Sequence, residues 1–204
     1  MARTNEEVFQ DARDALELTK RGLGEFLGVQ GRQRGSGIRN VVVWGRVVTA
    51  TLCKLKHQVA GFDEWWTPIA DELHSDPEFH YLYDLSNDVR HAGTFGRVAT
   101  STHIKHMNTA DLQPLLANPP PGARNFFVGD RWGGSGWEVV LPDGTTGQFY
   151  VTLPADVDIT TWLHFTEPTT SLHLAPPSRP IKDVLGRYVA YLETILGSAI
   201  QALR

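Results

Sequence analysis

Apolar positions recur at helical spacing through the first part of the chain, give way to alternating apolar and polar positions in its middle, and return to helical spacing at its end. Thr4 and Glu7 have the spacing of a capping box, and Val8, Ala12, Ala15 and Leu16 follow every three or four residues, which predicts a helix over about 5–21. GVQGRQRGSG then interrupts the pattern and reads as a mobile connector. After it Ile38, Val41, Gly45, Val48, Leu52, Leu55 and Val59 form the seam of a long helix closed by Gly61. FDEWWTPIADELH predicts a shorter helix that stops near Ser75. Asp76 and Pro77 are a cap and first-turn pair, opening a helix to about His91 with Gly93 placed to end it.

From about 96 to 175 the character changes. RVATSTHI, NFFVGD, GWEVVLPDGTTGQFYVTLP and TTWLHF are rich in β-branched and aromatic residues and are separated by turn residues. Asp143-Gly144, between GWEVVL and QFYVTL, predicts a tight hairpin. NPPPG is a stiff connector. Pro180 opens a last helix whose seam runs through Ile181, Leu185, Tyr188, Leu192, Ile195, Ala199 and Leu203. Neither helical block can bury its seam alone, so the two are expected to pack together. The predicted class is α+β: one domain, with a helical bundle from 1–95 and 178–204 and an antiparallel β-rich insertion over 96–177.

The 204 residues suffice for one folding unit. A formal net charge of −4 and a pI near 6.0 exclude a surface coated in positive potential. Cys53 is the only cysteine, so no intrachain disulfide forms and a reducing, cytoplasmic setting is expected. The most apolar segment, VVVWGRVVTATLCKL, is broken by Arg46 and is short of the roughly 20 apolar residues of a membrane span. The charged, amphipathic start has no secretory pattern.

The stretch DLSNDVRHAG, residues 84–93, gathers chemistry at the end of the fourth predicted helix. At about 100° per residue, Phe79, Leu82, Leu85 and Val89 share a core-facing stripe with Ser86 and Tyr83 near it. His80, Asp84, Asn87 and His91 collect on nearly the opposite side, where solvent or a second subunit must meet them. The same residues also suit an ordinary surface, with His80 and Asp84 paired and Arg90 and His91 at the negative end of the helix dipole.

The bundle, the long preceding helix and the Asn87-x3-His91 step resemble the HEPN superfamily, whose motif runs arginine, a polar residue that is often asparagine, then histidine. The position that family gives to arginine is Ser86 here. The resemblance covers roughly residues 1–93 and 180–204; the chain as a whole also resembles an uncharacterised family of bacterial proteins. The HEPN likeness implies a homodimer whose two motif helices face each other across a composite cleft. It implies an RNA-binding protein, either a weakened metal-independent endoribonuclease or a binder that has lost cleavage. His91 would move protons during attack by a ribose 2′-hydroxyl on the neighbouring phosphate, Asn87 would orient it, and Arg90 would touch the phosphate. Arg32, Arg34, Arg39, Arg46, Ser86 and His80 would be further RNA contacts. No cofactor or metal is expected.

Other constellations weigh less. HIKH, residues 103–106, lacks the third and fourth ligands of a zinc site. GRQRGSG lacks the Gly-Lys-Ser/Thr end of a phosphate loop. WGGSGW has Trp137 where a serine-nucleophile elbow needs glycine. Two rival functions follow. One is a non-enzymatic interaction protein, immunity- or antitoxin-like, whose sheet presents Trp132, Trp137 and Tyr150 to a partner. The other is a small-ligand sensor with a pocket between bundle and sheet.

Overall fold

The computed structural model describes residues 4–28, 32–92, 98–166 and 176–203. It is a mixed α+β structure with two small antiparallel sheets. The helices are α1 (Asn5–Gly28), α2 (Arg32–Leu52), α3 (Phe62–Ser75), α4 (Pro77–Ala92), α5 (Thr109–Leu116) and α6 (Ile181–Ala202). The strands are β1 (Val98–His106), β2 (Ala123–Phe127), β3 (Gly136–Val140), β4 (Thr146–Tyr150) and β5 (Asp158–Phe165). Among the described residues no helix is long and apolar enough to cross a membrane.

The capping box at the start of α1 is present: Glu7 N–H donates to Thr4 Oγ1 and Thr4 N–H to the Glu7 carboxylate. The helix, however, runs to Gly28 instead of stopping at 21, and α2 begins at Arg32, inside the stretch expected to be a mobile connector. The glycines explain the difference. A Cβ on Gly37 would lie 2.5 Å from Phe26 N and 2.7 Å from Gly22 O, and one on Gly22 would lie 2.7 Å from Asn40 Cβ. Gly22 and Gly37 are therefore contact points where the two helix backbones nearly touch, and neither breaks its helix.

The seams of α1, α2, α4 and α6 meet in one core. Phe9, Ile38, Leu52, Leu82, Leu85, Ile181, Leu185, Leu192 and Ile195 are sealed from solvent, each fully buried large side chain contributing about 1.5–3 kcal/mol. α2 ends at Leu52 and tightens into a 3-10 turn, Cys53–His57, which still buries Leu55. Gly61 takes φ +78 ahead of α3. The expected end of α4 at Gly93 lies outside the described residues.

α4 is fixed at its start by charge. Asp76 Oδ1 accepts from the N–H groups of Glu78 (2.9 Å) and Phe79 (3.1 Å), capping the helix. Its other oxygen takes Arg187 of α6, which also reaches Glu78 at 2.8 Å and lies over the Phe79 ring. Arg179 pairs with Glu78 too. Burial pushes the Asp76 carboxyl up, but hydrogen bonds from Arg187 and the two backbone N–H groups outweigh it and hold it below the usual range. The hydrogen bond from Arg179 does the same for Glu78 against partial burial. Carboxyls lowered in the folded state stabilise it fully above their unfolded values of about 4 and lose that contribution as pH falls through the folded values. Melting midpoints followed from neutral pH to about pH 3 are expected to drop more steeply in the wild type than in Arg187→Gln; parallel slopes would refute the linkage.

β1 and β5 pair antiparallel from Val98↔Phe165 to His106↔Asp158, and Val98, Leu163 and Phe165 dock this ribbon on the bundle core. Tyr81 of α4, fully buried, donates to Thr166 O at 2.8 Å beside it. Between the two strands the chain makes α5, whose Asp111 carboxylate accepts from Asn108 N–H, and then the β2-β3-β4 meander. The predicted hairpin is there, with Val140↔Thr146 as its last pair and Gly144 at φ +80. Helix α5 was not expected in a stretch assigned to strands.

Candidate functional site

Four turns of α4 carry the polar motif. Its inward face holds Phe79, Leu82 and Leu85, joined by Tyr81 and Ser86, both at 0% exposure. Tyr83, expected near this stripe, instead stands half exposed on the other side. Asn87 is half-buried, Arg90 and His91 are exposed, and none of these three side chains forms a hydrogen bond or ion pair with another described residue. His80 lies on the same outward stripe, its ring 4.9 Å from that of His74 in α3.

Arg46 of α2 reaches across to this stripe. Its guanidinium lies 3.7 Å above the Tyr83 ring and Nη2 donates to the Tyr83 hydroxyl at 3.0 Å. Nη1 is shut off from solvent and has no hydrogen-bond partner among the described residues. A buried donor left unpaired is costly, commonly about 1–3 kcal/mol and more when charged. Stacking on the ring is the compensation seen here.

Below Tyr83 a cavity of about 380 Å³ opens between α2, α3 and α4. Arg46, His74, His80 and Tyr83 supply polar groups at its rim, and Trp66 and Leu73 an apolar wall. Cys53 also faces it, but burial pushes that thiol up, which disfavours the nucleophilic thiolate. The site can therefore hold an anion next to a planar or apolar group.

The remaining candidates are scattered. Ser86 cannot touch RNA from the core, where its hydroxyl donates to Tyr83 O at 2.6 Å. Arg34 donates to Trp132 O at 3.1 Å and lines a pocket with Phe26 and Leu163. Arg39 is exposed on α2. Arg32 opens α2, and its side chain lies outside the described residues. Tyr83, His74 and Trp66 were missed: a helical wheel alone placed Tyr83 inward, and nothing local in the sequence brings α3 beside α4.

Of the three aromatic residues expected to meet a partner, Trp137 is buried, and Trp132 and Tyr150 are partly exposed. Trp137 is 8% exposed and packs edge-on against Phe126, while Trp132 lies across the first turn of α2, against Gly35. Tyr150 donates to Asp130. Among the described residues no group of three or more His, Cys, Asp or Glu side chains is placed to hold a metal ion. Comparison with known proteins returns no match: no family model, no curated protein and no solved structure aligns significantly with the chain.

Proposed function

We propose that the chain is a HEPN-like, cytoplasmic RNA-binding protein acting as a homodimer, in which the outward faces of α2 and α4 from two copies form a shared cleft. The observation that supports this reading best is the reach of Arg46 to Tyr83, one turn before Asn87. It supplies a guanidinium to the face of α4 from which Ser86 has withdrawn.

In this reading Arg46 and Arg90 hold a phosphate, offsetting the charge that builds on it when it is attacked. Asn87 orients the group, and His91 takes the proton from the ribose 2′-hydroxyl and returns one to the leaving oxygen. Asp84 and Asp88, on the same helix, oppose a polyanion, so binding is weak and strongly sensitive to salt. His80 and the cavity beside it receive whatever the phosphate carries.

Labelled RNA incubated with the protein in EDTA tests the reading. His91→Ala is expected to lower cleavage by about 100-fold or more, with RNA binding retained. Arg46→Met, which keeps the stem but removes the charge, is expected to weaken binding and to lower its logarithmic salt slope by about one. Cleavage that survives in His91→Ala ends the nuclease reading. A particle that stays monomeric by light scattering at the concentrations of the assay, with or without RNA, ends the shared cleft.

A further inference from the structure

The second large concavity lies on the sheet, shares no lining residue with the cavity at Arg46, and has an acceptor-rich floor. One face of β2-β3-β4, together with Gln33 from the first turn of α2, encloses about 880 Å³. Asn125, Glu138 and Gln148 stand in register across the three strands and line its floor. Phe127 and Tyr150 close one end, their rings 5.8 Å apart and nearly perpendicular.

Proton bookkeeping shows what this floor offers. Asp130 Oδ1 accepts from the N–H groups of Trp132 (2.9 Å) and Gly134 (2.8 Å), and Oδ2 lies 2.5 Å from the Tyr150 hydroxyl. A carboxylate only accepts, so the single phenolic proton goes to Asp130. The Gln148 carboxamide atom 2.7 Å from the same hydroxyl must then be its donor. That places the NH₂ against Tyr150 and leaves the Gln148 carbonyl without a donor among the described residues. Asn125 gives its NH₂ to Glu138 Oε2 at 2.8 Å, and neither its own carbonyl nor Glu138 Oε1 has a donor among the described residues.

The floor is therefore a row of three acceptors, spaced about 5 Å apart by the strand separation. Among the described residues two carboxylates and no lysine, arginine or histidine line the cavity. Such a surface repels phosphate.

We infer that this concave sheet face binds a guanidinium group, the donor-only cation of an arginine side chain or of free arginine. A guanidinium carries five N–H donors in a planar fork and no acceptor, and its face stacks on aromatic rings. It would span two members of the Asn125, Glu138, Gln148 row, pair its charge with Glu138 and lay its plane against Phe127 or Tyr150. This site is independent of the RNA reading, uses none of its residues, and fits a ligand of the opposite charge.

Calorimetric titration of the full chain with arginine blocked at both ends tests it, beside the blocked citrulline analogue, which keeps the shape but loses the charge. Saturable binding of blocked arginine is expected, at least about tenfold tighter than citrulline, and weakened by a similar factor in Glu138→Gln, whose fold is checked by circular dichroism. Arg46→Met is expected to bind as the wild type does. Free arginine forms a further arm: equal affinity assigns recognition to the guanidinium alone, and much tighter binding assigns the site to the free amino acid. Absence of saturation, or citrulline binding equal to arginine, overturns the inference.

Discussion

Placing arginine at position 86, where the HEPN pattern carries it, is expected to unfold the helical bundle and not to create a stronger nuclease. Ser86 has no exposed surface, and its hydroxyl is spent on Tyr83 O. A guanidinium there would be buried without a carboxylate to meet it, an arrangement that costs on the order of 3–5 kcal/mol before the clash of its longer stem is counted. Domains of this size are stable by only about 5–15 kcal/mol in total. Circular dichroism of Ser86→Arg should show loss of cooperative melting near physiological temperature. Ser86→Ala, which removes one hydrogen bond, should cost only about 0.5–1.5 kcal/mol. A folded Ser86→Arg with a normal melting curve would mean that α4 is rotated from the orientation described.

Gly37→Ala carries the second large effect. The added methyl meets three backbone atoms of one turn of α1, at 2.5 Å from Phe26 N, 2.7 Å from Gly22 O and 2.9 Å from Phe26 Cα. Backbone cannot swing aside as a flexible side chain does, so the helices must separate along a closely packed seam. Overpacking of this kind costs about 1–3 kcal/mol or more. Gly24→Ala is the matched control. It lies in the same region of α1, its added Cβ meets nothing within 4 Å, and it is expected to stabilise the protein by about 0.5–1 kcal/mol through helix propensity. Urea denaturation of both variants should give shifts of opposite sign. Equal shifts would remove the close approach as the reason for glycine at 37.

Much of the architecture was legible because burial imposes periodicity. The seams of α2, α4 and α6 could be read from single residues such as Ile38, Leu82 and Leu192, and the β3-β4 hairpin from Asp143-Gly144. The errors share a cause. Gly22, Gly35 and Gly37 look like loop punctuation when read along the chain, but they serve partners distant in sequence: Gly22 and Gly37 each other's helix, Gly35 the Trp132 ring. Helix α5 is short, contains Pro114 and buries only Leu112, too little periodicity to stand out among strands. The outward placement of His80, Asn87 and His91 followed from one helix alone. That Arg46 would reach Tyr83 and the cavity beside His80, with Arg34 tied to Trp132 in the β2-β3 loop, depends on tertiary packing that no local pattern encodes.

The β1-β5 ribbon has an evolutionary consequence. His106 and Asp158 face each other at its open end, so everything from 107 to 157 leaves and re-enters the molecule at a single doorway. A lineage could shorten, exchange or lose that excursion by joining the two strands with a tight turn. The helices would keep their cores, and the price would include the contacts of Trp132 with α2 and Arg34 and the hydrogen bonds from Thr100 and Thr161 to the excursion. Natural variation in length is therefore expected to concentrate there and to spare the bundle.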